Sequence, residues 1–269
     1  MEIDGSPEDW KSRIVCGTRV GDPDPPDWLG DCYATFRSYV TDARFPCYFA
    51  SEGERAGKLF YSHVSAHDVG HLPQTILTFL GQCKDLSRDK NNLTVFFEPR
   101  RSHAEHHEYR KMFWDTLCHL HDHDPHSRTA VDRDPSDPLW EFPFANHLFF
   151  VVGLSPSYRQ RRSRNLGPGM IMVFQPRQVF QDALTGRDIS SEARGIIRER
   201  LVRWDGNEAH PDLNMYGKPG NLEWVQYFFS DDGVPENGRC PLSLRARHGA
   251  AAAPPDANSV KLAQSLDRS

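Results

Sequence analysis

No stretch of the sequence reaches the roughly 18 consecutive apolar residues that a membrane-crossing helix needs. No Cys-x-x-Cys pair occurs; Cys16, Cys32, Cys47, Cys83, Cys118 and Cys240 stand far apart, which argues against a zinc ribbon. Gly-x-Gly-x-x-Gly is also missing, so no dinucleotide fingerprint is present, and no internal repeat marks a solenoid. Positive charge is not in excess. The formal net charge of −5 argues against a general nucleic-acid binder, whose affinity comes from neutralising phosphates. The opening residues Met1-Glu2-Ile3-Asp4-Gly5 hold no apolar signal core, so the expectation is a soluble, cytoplasmic protein. A disulfide framework is not expected in that setting, and most of the cysteines read as small buried hydrophobes.

What the sequence does have is a core. With 38% apolar and 11% aromatic residues, 269 residues suffice for a sizeable interior, although charged residues and loops lower the mean hydropathy to −0.64. The stretch from Asn146 to Phe180 organises it. Leu148-Phe149-Phe150-Val151-Val152 and Met170-Ile171-Met172-Val173-Phe174 are short, β-branched and aromatic runs bounded by turn signals, and both read as buried central strands. Gly153 and Pro156 are read as the turn that ends the first run. Between the runs lies a basic segment with Arg159, Arg161, Arg162 and Arg164, placed at the rim of a functional pocket.

Elsewhere the periods alternate irregularly. Trp28 to Val40 has helical spacing after Asp27, which is read as its N-cap. Lys58 to Val64 and Leu93 to Phe97 read as strands. Leu72 to Cys83, Ala104 to His121, and a segment with Ala193, Ile196, Ile197, Arg200, Leu201 and Trp204 inward read as helices, the last capped by Asp188 or Ser190. Asp122 to Pro138 is a polar loop. Leu222 to Phe229 fits strand or helix equally. The predicted fold class is α+β: a mostly antiparallel sheet flanked by helices, with the helices on one side, in a single domain. Residues 1–42 are expected to be an N-terminal helical extension, 43–232 the catalytic domain and 233–269 a disordered tail.

Several residues could carry chemistry. Cys47, among Phe45, Pro46, Tyr48 and Phe49, reads either as an inert buried thiol or as a metal thiolate in a water-poor cradle. His121, on the apolar stripe with Phe113 and Leu117, reads as a hydrogen-bonded core histidine or as an iron ligand whose other ring nitrogen is held by a carboxylate. His103 and His107 have HxxxH spacing, but Ala104 follows the first, so the zinc-protease pattern is absent and a solvated helix start is favoured. Arg162 and Arg164 are either solvated or, joined by Arg177, an anion clamp. Glu141 lies between Trp140 and Phe142, where a carboxylate needs a partner. That partner is an internal arginine or a bound guanidinium or amine. His210 and Asp212 sit in a loop, a weaker functional signal.

Taken together, certain segments resemble the YqcI/YcgG family over roughly residues 40–232. They are Phe45-Pro46-Cys47-Tyr48-Phe49-Ala50, Phe97-Glu98-Pro99, Leu120-His121-Asp122-His123-Asp124-Pro125 and Asp137-Pro138-Leu139-Trp140-Glu141-Phe142. Arg162-Ser163-Arg164, Phe174-Gln175-Pro176-Arg177, His210-Pro211-Asp212-Leu213 and Tyr216-Gly217 continue the set. Related hydroxylases carry Gly-Leu-His-Pro where this chain has Gly153-Leu154-Ser155-Pro156. The resemblance implies a haem-dependent monooxygenase that N-hydroxylates an arginine-like or amine substrate with O2 and electrons from an external reductase. In that expectation Cys47 or His121 ligates the iron of haem b, Arg162, Arg164 and Arg177 hold propionates or the substrate carboxylate, and Glu141 pairs with the substrate cation. Alternatives are a non-catalytic haem- or ligand-binding protein and a non-haem iron oxygenase. Neither nucleic acid nor membrane is an expected partner.

Overall fold

The computed structural model describes residues 9–126, 134–181 and 191–243, with backbone alone at 191–194. A short ribbon, β1 (Val15–Cys16) and β2 (Arg19–Val20), precedes α1 (Asp27–Val40) and α2 (Tyr48–Arg55). Then come β3 (Leu59–Val64), α3 (Leu72–Gln82), α4 (Leu86–Asp89), β4 (Asn92–Phe97) and α5 (His106–Asp122). β5 (Phe142–Phe144), β6 (His147–Leu154), β7 (Ile171–Pro176) and α6 (Ser191–Asp205) complete the order. The main sheet runs β3-β4-β7-β6-β5; β3 and β4 are parallel and every other pair is antiparallel. The two organising runs are thus neighbouring strands, β6 and β7, as their sequence implies. The fold is α+β with a mostly antiparallel sheet.

Strand alternation splits the protein into two layers. Leu93, Val95, Phe97, Phe149, Val151, Met172 and Phe174 face α3, α5 and the segment Trp224–Phe229. Leu59, Tyr61, Phe96, Leu154 and Ile171 face α1 and Phe45, with Trp204 of α6 packed edge-on against Phe45. Helices therefore cover both faces, not one as the sequence suggested. The reason is visible in β4, which is buried at all six positions. A central strand buried on both sides needs a layer on each.

Other elements also differ from the sequence reading. Asp27 is the first helical residue of α1 and Pro26 occupies the cap, so Asp27 complements the helix dipole instead of capping it. Gly153 does not turn the chain. It stays inside β6, where the rings of Phe113 and Phe228 leave no room for a side chain. Within α6, Ile196 is 55% exposed, whereas Ile197 and Leu201 point inward. The cap residues proposed for α6 lie outside the described residues. The segment Leu222–Phe229 is neither strand nor long helix; it contains one 3-10 turn, Glu223–Gln226. Residues 233–243, assigned to a tail by composition, pack: Cys240 and Leu242 join the α5 layer, and Arg110 pairs with Glu236. Residues 244–269 lie outside the described residues.

Glu54 ties the second layer together. Its buried carboxylate accepts hydrogen bonds from Tyr33 (2.6 Å) and Tyr61 and pairs with Arg37 at 3.3 Å. Three donors from α1 and β3 converge on one residue of α2, so a carboxylate in an apolar layer is compensated.

Replacing Gly153 by Ala places a methyl carbon 2.4 Å from Phe228 and 2.8 Å from Phe113. Denaturant unfolding should register a loss of about 1–3 kcal/mol from overpacking. A change within about 0.5 kcal/mol of wild type, ordinary for a surface site, would show that the two rings yield freely.

Candidate functional site

The Cys47 layer encloses a cavity of about 290 Å3. Its floor is the sheet and its walls are α1, the segment 45–47 with the start of α2, and α6. Register defines the floor row by row. Leu59 pairs with Asn92 across β3 and β4, Phe150 pairs with Gln175 across β6 and β7, and continuing the β4–β7 register by one residue from Leu93–Phe174 joins the two pairs into one row. Thr94, Val173 and Val152 form the next row, and Phe96, Ile171 and Leu154 the one beyond. The first row is polar at its centre and the third is wholly apolar. Phe36, Val40 and Phe45 cover the floor from above. Asn92 and Thr94 are 4% and 0% exposed, and neither Asn92 Oδ1 nor the Thr94 hydroxyl has a hydrogen-bond partner among the described residues.

Cys47 lines this cavity and caps α2 at its N-terminus. It retains some accessible surface, which it presents to the cavity, while the atoms crowding it push its thiol pKa up. Opposing that, the backbone amides of Ala50 and Phe49 and the charge of Arg200 favour the thiolate. Deprotonated, a thiol is a soft donor of the kind thiophilic metals take.

Glu141 also lines the cavity, fully buried, with Arg177 at 3.4 Å. The internal-arginine reading of Glu141 therefore holds. Arg177 in turn lies flat on Tyr216, 3.5 Å from the ring centre, a cation–π contact. A second buried carboxylate, Glu223, faces the same space and accepts from Asn221 Nδ2 (2.9 Å) and Gln226 Nε2 (3.2 Å). The sequence reading missed Glu223, Asn92, Thr94 and Gln175. A signal existed for the strand pair: Asn92 and Thr94 are polar at i and i+2 in an otherwise apolar run, the mark of one distinct face.

The arginines divide. Arg164 reaches the cavity, yet its guanidinium donates to the carbonyls of Gly153 (3.2 Å), Tyr227 (3.2 Å) and Gln226 (3.0 Å) and stacks on Phe229. Its burial lowers its pKa. It joins β6 to the C-terminal segment, and that work occupies much of its donor fork. Arg162 is exposed and stacks on Trp204, outside the cavity. An anion clamp of Arg162, Arg164 and Arg177 is thus not assembled; among the described arginines, Arg164 and Arg177 border the space.

His121 lies at the end of α5, on the opposite face of the sheet from Cys47. The two candidate iron ligands do not share a cavity. His103 precedes α5, so His103 and His107 do not share a helical face, and both are exposed. Among the described residues, no group of three or more His, Cys, Asp or Glu side chains could hold a metal ion. His210 is buried: it stacks on Phe229, its Nδ1 accepts from the Asp212 amide at 3.1 Å, and its Nε2 stands 3.1 Å from Ser230 Oγ. Burial first, then Arg161 and Arg164, lower its pKa to about 4.

Arg177→Met and Glu141→Gln should couple in a double-mutant cycle by about 1–3 kcal/mol, since either single change leaves a buried charge short of its partner. Additive effects would show the pair to be incidental. For His210 the folded pKa sits below the ordinary histidine value of about 6.5. Between pH about 6.5 and about 4 the unfolded chain takes up a proton that the folded chain refuses, so stability falls as pH falls. Denaturation followed across this window should give a shallower slope for His210→Gln; an unchanged slope would assign the acid sensitivity to other groups.

Comparison with known proteins places this geometry in a family. The model of the YqcI/YcgG family matches residues 36–243. YcgG of Bacillus subtilis (strain 168) is 30% identical over 227 residues, 81% of this chain and 89% of the relative. YqcI of the same organism is 30% identical over 232 residues, 81% and 88% respectively. A Streptomyces lavendulae protein named "Putative N(omega)-hydroxy-L-arginine synthase DcsA" is 30% identical over 250 residues, 87% and 91%. No solved structure matches the chain. With more than half its length matched by the family model, the chain belongs to the YqcI/YcgG family.

Proposed function

We propose that this protein N-hydroxylates an arginine-like substrate in the cavity beneath α1 and α6, as a haem-dependent monooxygenase. One observation carries the reading. A half-open, largely apolar space holds a thiol in the same chamber as two buried carboxylates, Glu141 and Glu223. The thiol suits an iron ligand and the carboxylates suit a cationic substrate. The name of the Streptomyces lavendulae relative, which specifies hydroxylation of L-arginine, supports the same substrate class.

The residues present fit haem in kind. Aromatic walls from Phe36, Phe45, Phe49 and Phe150 suit a macrocycle, and Cys47 lines the same space. Cys47 would hold the iron, and the Phe49 and Ala50 amides would stabilise its thiolate. When bound, the haem would supply activation of O2: one oxygen atom enters the substrate N–H bond, and the other leaves as water with two electrons from an external reductase and two protons from solvent. The chain itself does the rest. Glu141 and Glu223 orient the cationic nitrogen, and Arg177, 3.4 Å from Glu141, partners that carboxylate in its apolar setting. The apolar walls lower the local dielectric, which strengthens each of these interactions. His121, across the sheet, takes no part. A non-haem iron site of His and carboxylate ligands has no set of side chains to form it among the described residues.

Protein supplied with haem should show a Soret band that changes in Cys47→Ser and persists in His121→Ala. With a reductase, O2 and L-arginine it should release a product heavier by one oxygen atom. Wild type that takes up neither haem nor iron would overturn the proposal. Haem uptake without O2 consumption on adding substrate would make the protein a carrier instead.

A further inference from the structure

The floor of the cavity carries two oxygen groups that the described fold does not satisfy. Asn92 Oδ1 and the Thr94 hydroxyl sit on the same face of β4, two residues apart, both buried and both bordering the cavity. No described donor, Gln175 of the neighbouring strand included, reaches Asn92 Oδ1. Native interiors seldom leave such groups unmet, because desolvating a polar atom without a partner is costly. A central strand is also the least favourable place to keep them, since Val or Leu there would pack without penalty.

We infer that Asn92 and Thr94 are specificity-determining residues that accept N–H donors from the substrate and make the cavity select a planar guanidinium over a compact ammonium. The inference rests on the proposed arginine-like substrate and assigns part of its recognition. The chemistry of the chamber is rich in acceptors. Glu141 and Glu223 contribute carboxylates, and Asn92 contributes an amide oxygen. Of the two bordering arginines, Arg164 is committed to backbone carbonyls. A ligand for such a site must bring many donors. A guanidinium has five N–H bonds in one plane, whereas an ammonium has three around one point. Carboxylates alone satisfy an ammonium; the extra N–H bonds of a guanidinium require further acceptors, which Asn92 and Thr94 supply. A site built to hydrogen-bond a group discriminates strongly against a ligand that lacks it.

Calorimetric titration of the haem-loaded protein with L-arginine and with L-lysine tests this. Wild type should prefer L-arginine by about tenfold or more, the effect of one unmet buried hydrogen bond. Thr94→Val and Asn92→Leu should each weaken L-arginine about tenfold while leaving L-lysine nearly unchanged, and Thr94→Ser should restore the preference. Thr94→Val should also raise the melting temperature of the ligand-free protein, because it removes an unsatisfied hydroxyl; a purely structural threonine would give the opposite shift. Folded variants that bind L-arginine as wild type does, or lose both ligands in equal proportion, would overturn the inference and leave the arginine-like substrate standing. Should Thr94→Val not fold, Asn92→Leu and Thr94→Ser decide by the same criteria. Wild type that binds no guanidino compound would instead overturn the proposed substrate itself.

Discussion

The two-residue period of the central strands governs this molecule. On β4, Leu93, Val95 and Phe97 are committed to the α5 layer, which leaves Asn92, Thr94 and Phe96 for the other face. Antiparallel register then carries the division to Val173 and Gln175 on β7 and to Phe150, Val152 and Leu154 on β6. A slip of one residue would exchange every one of these side chains between layers. The solid layer and the hollow layer are therefore fixed by the same pairing. The solid layer is rich in aromatics: Phe113, Trp114, Trp140, Tyr227 and Phe228 interlock there among aliphatic neighbours. It gives the sheet a rigid backing, against which the cavity on the other face can remain open.

Charge inside the hollow layer is handled locally. Glu54 is compensated by two tyrosines and Arg37, Glu141 by Arg177, and Arg164 by three carbonyls. None of these is a surface ion pair of small consequence, because removing one partner would strand the other away from water. Two of them border the cavity, so the groups that stabilise the fold and those that shape the site overlap. Arg164 illustrates this most clearly: it anchors Tyr227 and Gln226 to β6 and, in doing so, sets one wall.

The strands and long helices were legible because their apolar periods are clean. α1, α3, β3, β4, β6 and β7 all follow from spacing alone. Three features were not legible, each for a physical reason. Helices on both faces cannot be counted from one strand's pattern without knowing that β4 lies inside the sheet. Gly153 reads locally as a turn, but two rings brought by α5 and the C-terminal segment press on it from far along the chain. Cys240 and Leu242 follow a polar, proline-containing stretch, and their burial depends on a groove made by other elements. For the site, Cys47, Glu141, Arg164 and Arg177 were singled out from their surroundings and do border one cavity. His121 has the sequence context of a ligand but sits near the end of α5, across the sheet from Cys47 and absent from the lining of its cavity. Glu223 was missed because a lone acidic residue in an aromatic segment carries no periodic signal.

The central claim is that the chamber beneath α1 is where iron chemistry occurs, with sulfur from Cys47 as the protein's donor. X-ray absorption at the iron edge of the reconstituted protein addresses that claim directly. The account predicts a sulfur scatterer in the first coordination shell, at a distance of about 2.3 Å typical of metal–thiolate bonds. A shell of nitrogen and oxygen alone would contradict it and move the metal away from this cavity.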